Sequence, residues 1–266
     1  MDDPRTYELL GRADTLGVFQ LESSLAQGYL KKMKPKSFVD VENFVALIRP
    51  GPLDAPAPSG QGTMVDEFIR RMHGQARVVP LHETTAHVLE DTYQIVVFQE
   101  QAMRITQAMA GFTEAEADNF RRAIAKKVPE EMPQLRKMFV EGCLQNGIPE
   151  KEADDMFNIL ETFSGYGFNK SHACGYAVLA VQTAWLRANY HPEFMAALLT
   201  SVKDDSEKLA QYLRDCYEHK TRVLPPSINI STDKFVADGD AVRFGLNAIK
   251  NVGNAATLQI IEERAK

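Results

Sequence analysis

The stretch SGYGFNKSHACGYA, residues 164–177, places flexible backbone and dense hydrogen-bonding capacity directly before an apolar run. Gly165 and Gly167 stop one helix and permit an unusual backbone path. Ser171 is a residue type that caps helix N-termini, and the pattern predicts a helix from Ser171 to Tyr190, ended by Pro192. Val178, Leu179, Val181, Ala184, Trp185 and Ala188 are spread around its girth, so it is expected to be a buried central helix. Such an N-terminus offers unpaired amide donors and a partial positive charge. Lys170 adds a full charge, and Asn169, Ser171 and His172 add donors. Two readings follow. The stretch is either a phosphate cradle, with Tyr166 and Phe168 stacking on a base at roughly 1–3 kcal/mol each, or a capped helix with two core aromatics.

Outward from that stretch, helical periodicity dominates. Apolar Val41, Phe44, Val45 and Ile48 share one face of a predicted helix over 38–48, which RPGP (49–52) terminates. DAPAPSGQGT (54–63) reads as a loop, and 65–73 as a short helix closed by Gly74. TYQIVVF (92–98) is rich in β-branched and aromatic residues and predicts a strand. QEQAMRITQAMA follows as a helix stopped by Gly111. Thr113 and Glu116 have capping-box spacing for a helix to about Lys127. Further helices are expected over 130–146, from Pro149 to near Phe163, and over 207–219. DGD (238–240) between FVA and AVRF reads as a hairpin turn. The fold class is therefore mainly α, with a small β hairpin near residues 222–246. The expected division is a helical body over 1–221 and a terminal segment over 222–266.

Composition narrows the function classes. The chain has 266 residues, 44% of them apolar, and a formal charge of −6, as in an ordinary globular protein. No apolar run reaches membrane-spanning length, and the N-terminus lacks a secretory pattern, so no membrane partner is expected. Cys143, Cys174 and Cys216 are widely spaced and odd in number, which reads as free thiols in a reducing cytoplasm. Charge is uneven: between Arg121 and Lys137 lie six basic residues and two acidic ones. Lys126 and Lys127 can simply close a helix, whose C-terminal end favours cations. Arg122 and Lys126, however, are a like-charge i,i+4 pair, which is mildly destabilising unless an anion neutralises it. The island is thus either a solvated face or an anion site.

Other chemistry has little support. The acidic pairs at 2–3, 130–131, 154–155 and 204–205 lie in polar or helical contexts, unlike carboxylates converging on metal ions about 4 Å apart. No Walker loop, GxSxG or HExxH occurs, and the six histidines show no metal-ligand spacing, so neither catalytic nor metal-binding residues are expected in this chain. IKNVGNAATLQII (249–261) has a glycine turn before a helix, as in half of a helix-hairpin-helix or in an ordinary helix start.

Six motifs in one order carry a resemblance: GVFQLES (17–23), ALIRPGPL (46–53), VVFQEQAMRI (96–105), FRRAIAKKVPEEM (120–132), YGFNKSHACGYA (166–177) and VLPPSINIS (223–231). Together they resemble the fingers region of the bacterial C-family replicative DNA polymerases, over nearly the whole chain. The intact Asn169-Lys170-Ser171-His172 run resembles the replicative branch more than its error-prone relative. The family places a small residue such as alanine where Cys174 and Gly175 stand, glycine where Ala125 stands and a third lysine where Val128 stands; the 54–63 loop is also longer than expected.

The resemblance implies a multi-helix fingers domain that closes over an incoming dNTP and helps to position primer-template DNA. Arg121, Arg122, Lys126, Lys127, Asn169, Lys170, Ser171, His172 and Arg49 would line the triphosphate pocket. It also implies a palm domain before residue 1, holding the catalytic aspartates and Mg2+, with Met1 a start codon added to an excised piece. The segment alone would then be inactive. Further implied partners are the sliding clamp and other replisome subunits, in a bacterial, nucleoid-associated setting. Two other classes stay open: a stand-alone nucleic-acid-binding module, and an interaction or scaffold segment.

Overall fold

The computed structural model describes residues 1–57 and 59–266. Pro58, within the predicted 54–63 loop, lies outside them. In chain order the helices are α1 (Pro4–Arg12), α2 (Ser24–Met33), α3 (Phe38–Leu47), α4 (Met64–Met72), α5 (Gln99–Ala110) and α6 (Glu114–Lys126). They continue as α7 (Met132–Gln145), α8 (Glu150–Phe163), α9 (Lys170–Asn189), α10 (His191–Ser201), α11 (Ser206–Glu218) and α12 (Asn254–Glu263). Short 3-10 turns occupy Glu83–Val88, Glu90–Thr92 and Leu246–Ala248. The strands are β1 (Arg222–Leu224), β2 (Val236–Asp238) and β3 (Ala241–Arg243). The mainly helical class with a small sheet near the C-terminal end is thus observed.

Local chemistry explains most boundaries. Ser37, Thr63 and Thr113 close capping boxes with Asp40, Asp66 and Glu116, which satisfies backbone donors at the starts of α3, α4 and α6. Gly111 and Gly147 take left-handed backbone just past α5 and α7, the conformation that lets a helix end without a Cβ clash.

The chain forms two compact units. One comprises Ser37–Val178; the other comprises Met1–Lys36 with Leu179–Lys266. In the first, α5 to α8 enclose a core centred on Phe120, Phe139 and Phe157, whose ring centroids lie 5.8–6.2 Å apart. Each such ring contributes roughly 1.5–3 kcal/mol through removal from water. In the second, α10 and α11 pack Met195, Leu199, Tyr212 and Cys216 against Phe235 and Val242 of the sheet region.

The 238–240 hairpin forms as expected, with β2 antiparallel to β3 and Gly239 at φ +62°. It also gains a third strand: β1 pairs in parallel with β3, giving the order β1-β3-β2. The strand predicted over 92–98 does not form. Tyr93 and Gln94 adopt left-handed backbone (φ 51° and 62°), which breaks extension, and only Phe98 makes a β-bridge, to Phe168. The buried run is satisfied instead by one side chain. Gln101 Oε1 accepts from the Val97 and Phe98 N–H groups at 2.9 and 3.0 Å, while its Nε2 donates to Thr92 Oγ1 at 2.8 Å.

The long helix α9 also departs from expectation. It buries one stripe (Ala173, Ala177, Ala180, Val181, Ala184, Arg187) and exposes Leu179, Trp185 and Leu186. Alanine fills four of those six positions, with Val181 and Arg187 toward the C-terminal end.

Candidate functional site: two helix starts and a cluster of cations

The predicted site residues lie in the 37–178 unit. Gln99 N–H donates to Phe168 O at 2.8 Å, and Phe168 N–H donates to Val97 O at 3.2 Å. Gln99 Nε2 donates to Gly167 O at 3.1 Å. This short parallel pairing sets the first residues of α5 and α9 side by side. Two positive helix ends therefore face one small region.

Asn169, not Ser171, caps α9. Its Oδ1 accepts from the His172 N–H at 2.8 Å, which is the bond of an N-cap to the third helical residue. Asparagine and serine are about equally good caps, so sequence spacing could not separate them. Ser171 sits one residue inside the helix, exposed, and its N–H has no hydrogen-bond partner among the described residues. His172 is also exposed, in tilted ring contact with Phe168 (5.4 Å) and Tyr176 (4.3 Å).

The cations converge unequally. Arg49 donates from Nε to Ala46 O at 2.8 Å and from its terminal nitrogen to Tyr166 O, and its guanidinium lies 4.6 Å from the Phe168 ring centroid. Arg121 reaches Gln99 Oε1 at 3.2 Å, which links the basic helix α6 to the paired helix starts. Lys127 takes a left-handed backbone and brings Nζ to 3.2 Å from the position a Cβ on Gly165 would occupy. Arg122 and Lys126 are exposed on α6, and Arg122 joins Arg121 only through Asp118.

Sequence reasoning missed the anions. Asp118 accepts from both arginines, at 2.7 Å from Arg121 and 2.6 Å from Arg122, and supplies a counter-charge for the basic island. Lys170 Nζ lies 4.0 Å from Glu42 and 3.9 Å from Asp91. Burial raises the Glu42 carboxyl above its ordinary value; Lys170 opposes this, and the charges of Asp91 and Glu100 add to it. Glu100 is the closest anion to the α9 start. Its Oε2 accepts from the Lys170 N–H and its Oε1 from Asn169 Nδ2, both at 2.8 Å. The only available signal was the Gln99-Glu100 pair behind the VVF run, which gives no hint of a partner seventy residues on.

Tyr166 is half-buried and meets Phe163 edge-to-face at 5.6 Å, as a core aromatic does. Phe168 keeps partial exposure under Arg49.

One group of potential metal ligands occurs among the described residues, in the other unit: His191, Asp215 and His219. It does not suit a cation. Arg187, fully buried, donates to both Asp215 oxygens at 3.0 and 2.7 Å and to Asp14 at 2.5 Å. His219 Nδ1 lies 2.9 Å from the Asp215 carbonyl, so it carries the proton and has no lone pair to offer a metal there. An arginine already fills the charge role that a metal would have.

The geometry defines a class first: a helical platform that gathers cationic side chains around two adjoining helix starts. Comparison with known proteins gives the family. Residues 1–147 match the family described as the bacterial DNA polymerase III alpha subunit finger domain, and residues 220–266 match a helix-hairpin-helix motif. The DNA polymerase III subunit alpha of Thermus aquaticus is 44% identical over 271 residues, covering 100% of this chain and 22% of the relative. Those of Escherichia coli K12 and Deinococcus radiodurans are 43% and 42% identical over 272 residues, again covering 100% of this chain. The chain belongs to the bacterial DNA polymerase III alpha subunit finger domain family. It spans 20–23% of the length of these relatives.

Proposed function

We propose that this chain is the part of a replicative DNA-directed DNA polymerase that receives the triphosphate of the incoming dNTP. The observation that carries this reading is the convergence of the α9 N-terminus with Lys170, Arg49, Arg121 and Lys127 around the 165–168 loop. Backbone N–H groups at a helix start and nearby arginines are the donors that bind phosphate oxygens. Their task in phosphoryl transfer is positioning and charge stabilisation. Arg122, Lys126, Ser171 and His172 are exposed, and in this reading a closing movement would bring them to the phosphates. Phe168, with one face on Arg49, is the better of the two stacking candidates for a base.

The metal ions of the reaction, Mg2+ in this reading, would be held by carboxylates of a palm domain outside this chain. The His191, Asp215 and His219 cluster does not suit such an ion, because Arg187 already closes it. The match to a helix-hairpin-helix motif supports a second contact, in which the turn at Gly253 meets the primer-template backbone without reading sequence. Clamp and replisome contacts, and a bacterial cytoplasmic setting, follow for the whole polymerase.

The test is steady-state primer extension by the full-length polymerase. Lys170→Ala and Arg121→Ala are each expected to raise the KM for dNTP by about tenfold or more, the worth of a charge-assisted hydrogen bond, with primer-template affinity little changed. Unaltered KM in both variants would remove the triphosphate reading.

A further inference from the structure

The α9 start already holds an anion, and it belongs to the protein. Glu100 uses both carboxylate oxygens on this one site, at 2.8 Å from the Lys170 N–H and 2.8 Å from Asn169 Nδ2. These are the first amide donor of the helix and the side chain that caps it. Glu100 sits in the first turn of α5, and the pairing of residues 97–99 with Phe168 fixes its backbone beside α9. Its side chain is thereby delivered to the α9 start by tertiary structure. Lys170 is meanwhile drawn toward Glu42 and Asp91. A triphosphate entering the cradle would meet the Glu100 charge at hydrogen-bonding range, where like charges in a partly desolvated site repel strongly.

We propose that Glu100 is an internal stand-in for the triphosphate: its carboxylate fills the α9 start until a nucleotide arrives and must leave the Lys170 amide for the phosphate to bind. This rests on the triphosphate reading above and adds its regulation. The device has two consequences. Without nucleotide, the helix start and its lysine stay satisfied and the site stays ordered. Weak anions such as a single inorganic phosphate compete poorly with a tethered carboxylate, whereas a triphosphate, with more charge and more acceptors, displaces it. Glu100 is therefore a positioning and selectivity residue that touches the phosphates' binding groups, not the reacting atoms.

The experiment is equilibrium binding of inorganic tripolyphosphate to the full-length polymerase by calorimetry, with dNTP KM measured in parallel. Three variants are compared: Glu100→Gln, Glu100→Asp and Lys170→Ala. Glu100→Gln keeps the shape and one acceptor but removes the competing charge, so tripolyphosphate is expected to bind about 3- to 10-fold tighter and the dNTP KM to fall in step. Glu100→Asp keeps the charge on a shorter arm, folds as the parent, and should give a smaller gain. If Glu100→Gln leaves or weakens tripolyphosphate binding while Lys170→Ala weakens it, the triphosphate site stands and the stand-in role is overturned. If neither variant changes binding, both readings fall.

Discussion

At the residue scale, Arg49 and Gly51 show how one turn shapes the candidate site. Arg49 spans two tasks, donating to the Tyr166 carbonyl and lying over the Phe168 ring. A lysine has neither the planar fork nor the flat face, so Arg49→Lys would not be conservative here. Gly51 sits at φ +103°, and a Cβ there would come within 2.8 Å of the Tyr166 Cβ. Gly51→Ala is expected to destabilise the chain by about 1–3 kcal/mol, from backbone strain and overpacking together. A lowered urea midpoint with unchanged slope would show it; an unchanged midpoint would refute the close packing. Gly51 and Arg49 stand in RPGP, which was legible as a helix terminator. That the same turn grips the 166–168 loop was not, because the partners are more than a hundred residues apart in the chain.

At the element scale, the crossing of α5 and α7 depends on one absent side chain. A Cβ on Gly142 would lie 2.5 Å from the Ala110 carbonyl oxygen, which is backbone and cannot step aside. Propensity alone says Gly→Ala inside a helix should stabilise by about 1 kcal/mol. Packing says the opposite, since the two helices would have to separate. Gly142→Ala is expected to lower stability by about 1–3 kcal/mol, and thermal unfolding of the chain decides the sign. The same contest accounts for what was misjudged. Helix starts and stops were legible because caps, prolines and glycines act locally. The segment 92–98 has strand composition, yet Gln101 offers its backbone a side-chain partner, and among the described residues its one β-bridge is Phe98 to Phe168. Composition cannot report whether a partner strand exists.

At the scale of the whole molecule, two sets of buried charges respond to pH in different ways. In the unit that contains α10 and α11, Arg187 joins Asp14 and Asp215, and His219 completes the group through Asp14 at 2.6 Å. Burial by itself would raise both carboxyls; hydrogen bonds and charge from Arg187 and the histidines outweigh it and hold Asp14 low and Asp215 down to about 2. For His219, burial opposes protonation, and the bonds to Asp14 and the Asp215 carbonyl outweigh it, so its value is raised above 6.5. The signs follow. The carboxylates contribute stability that is complete above pH 3.8 and is lost as pH falls toward 2. His219 contributes stability that is complete below pH 6.5 and is lost as pH rises through its raised value. The chain is therefore expected to melt at progressively lower temperature above pH 6.5, and His219→Gln should flatten that limb in a pH series of thermal melts. A variant that keeps the full alkaline decline would assign it to another group. Glu42, raised by burial near Lys170, has the opposite sense: it is easier to protonate when folded, and favours the folded state slightly on acidification.

The sequence by itself determined the helical class, most helix ends, the 238–240 hairpin, and the family through six ordered motifs. These depend on periodicity, caps and breakers, whose causes lie within a few residues of their effects. Tertiary structure decided which of those residues meet: that α5 and α9 begin side by side, that Asn169 is the cap, that Arg121 reaches Gln99 at the α5 start and that Lys127 approaches Gly165. It alone revealed Glu42, Asp91 and Glu100 as counter-charges at the α9 start, whereas Asp118 lies one turn before Arg121 and Arg122 on α6. The physical reason is range. A hydrogen bond or charge pair acts over a few ångströms in space, and folding brings within that distance groups that the chain keeps seventy to a hundred residues apart.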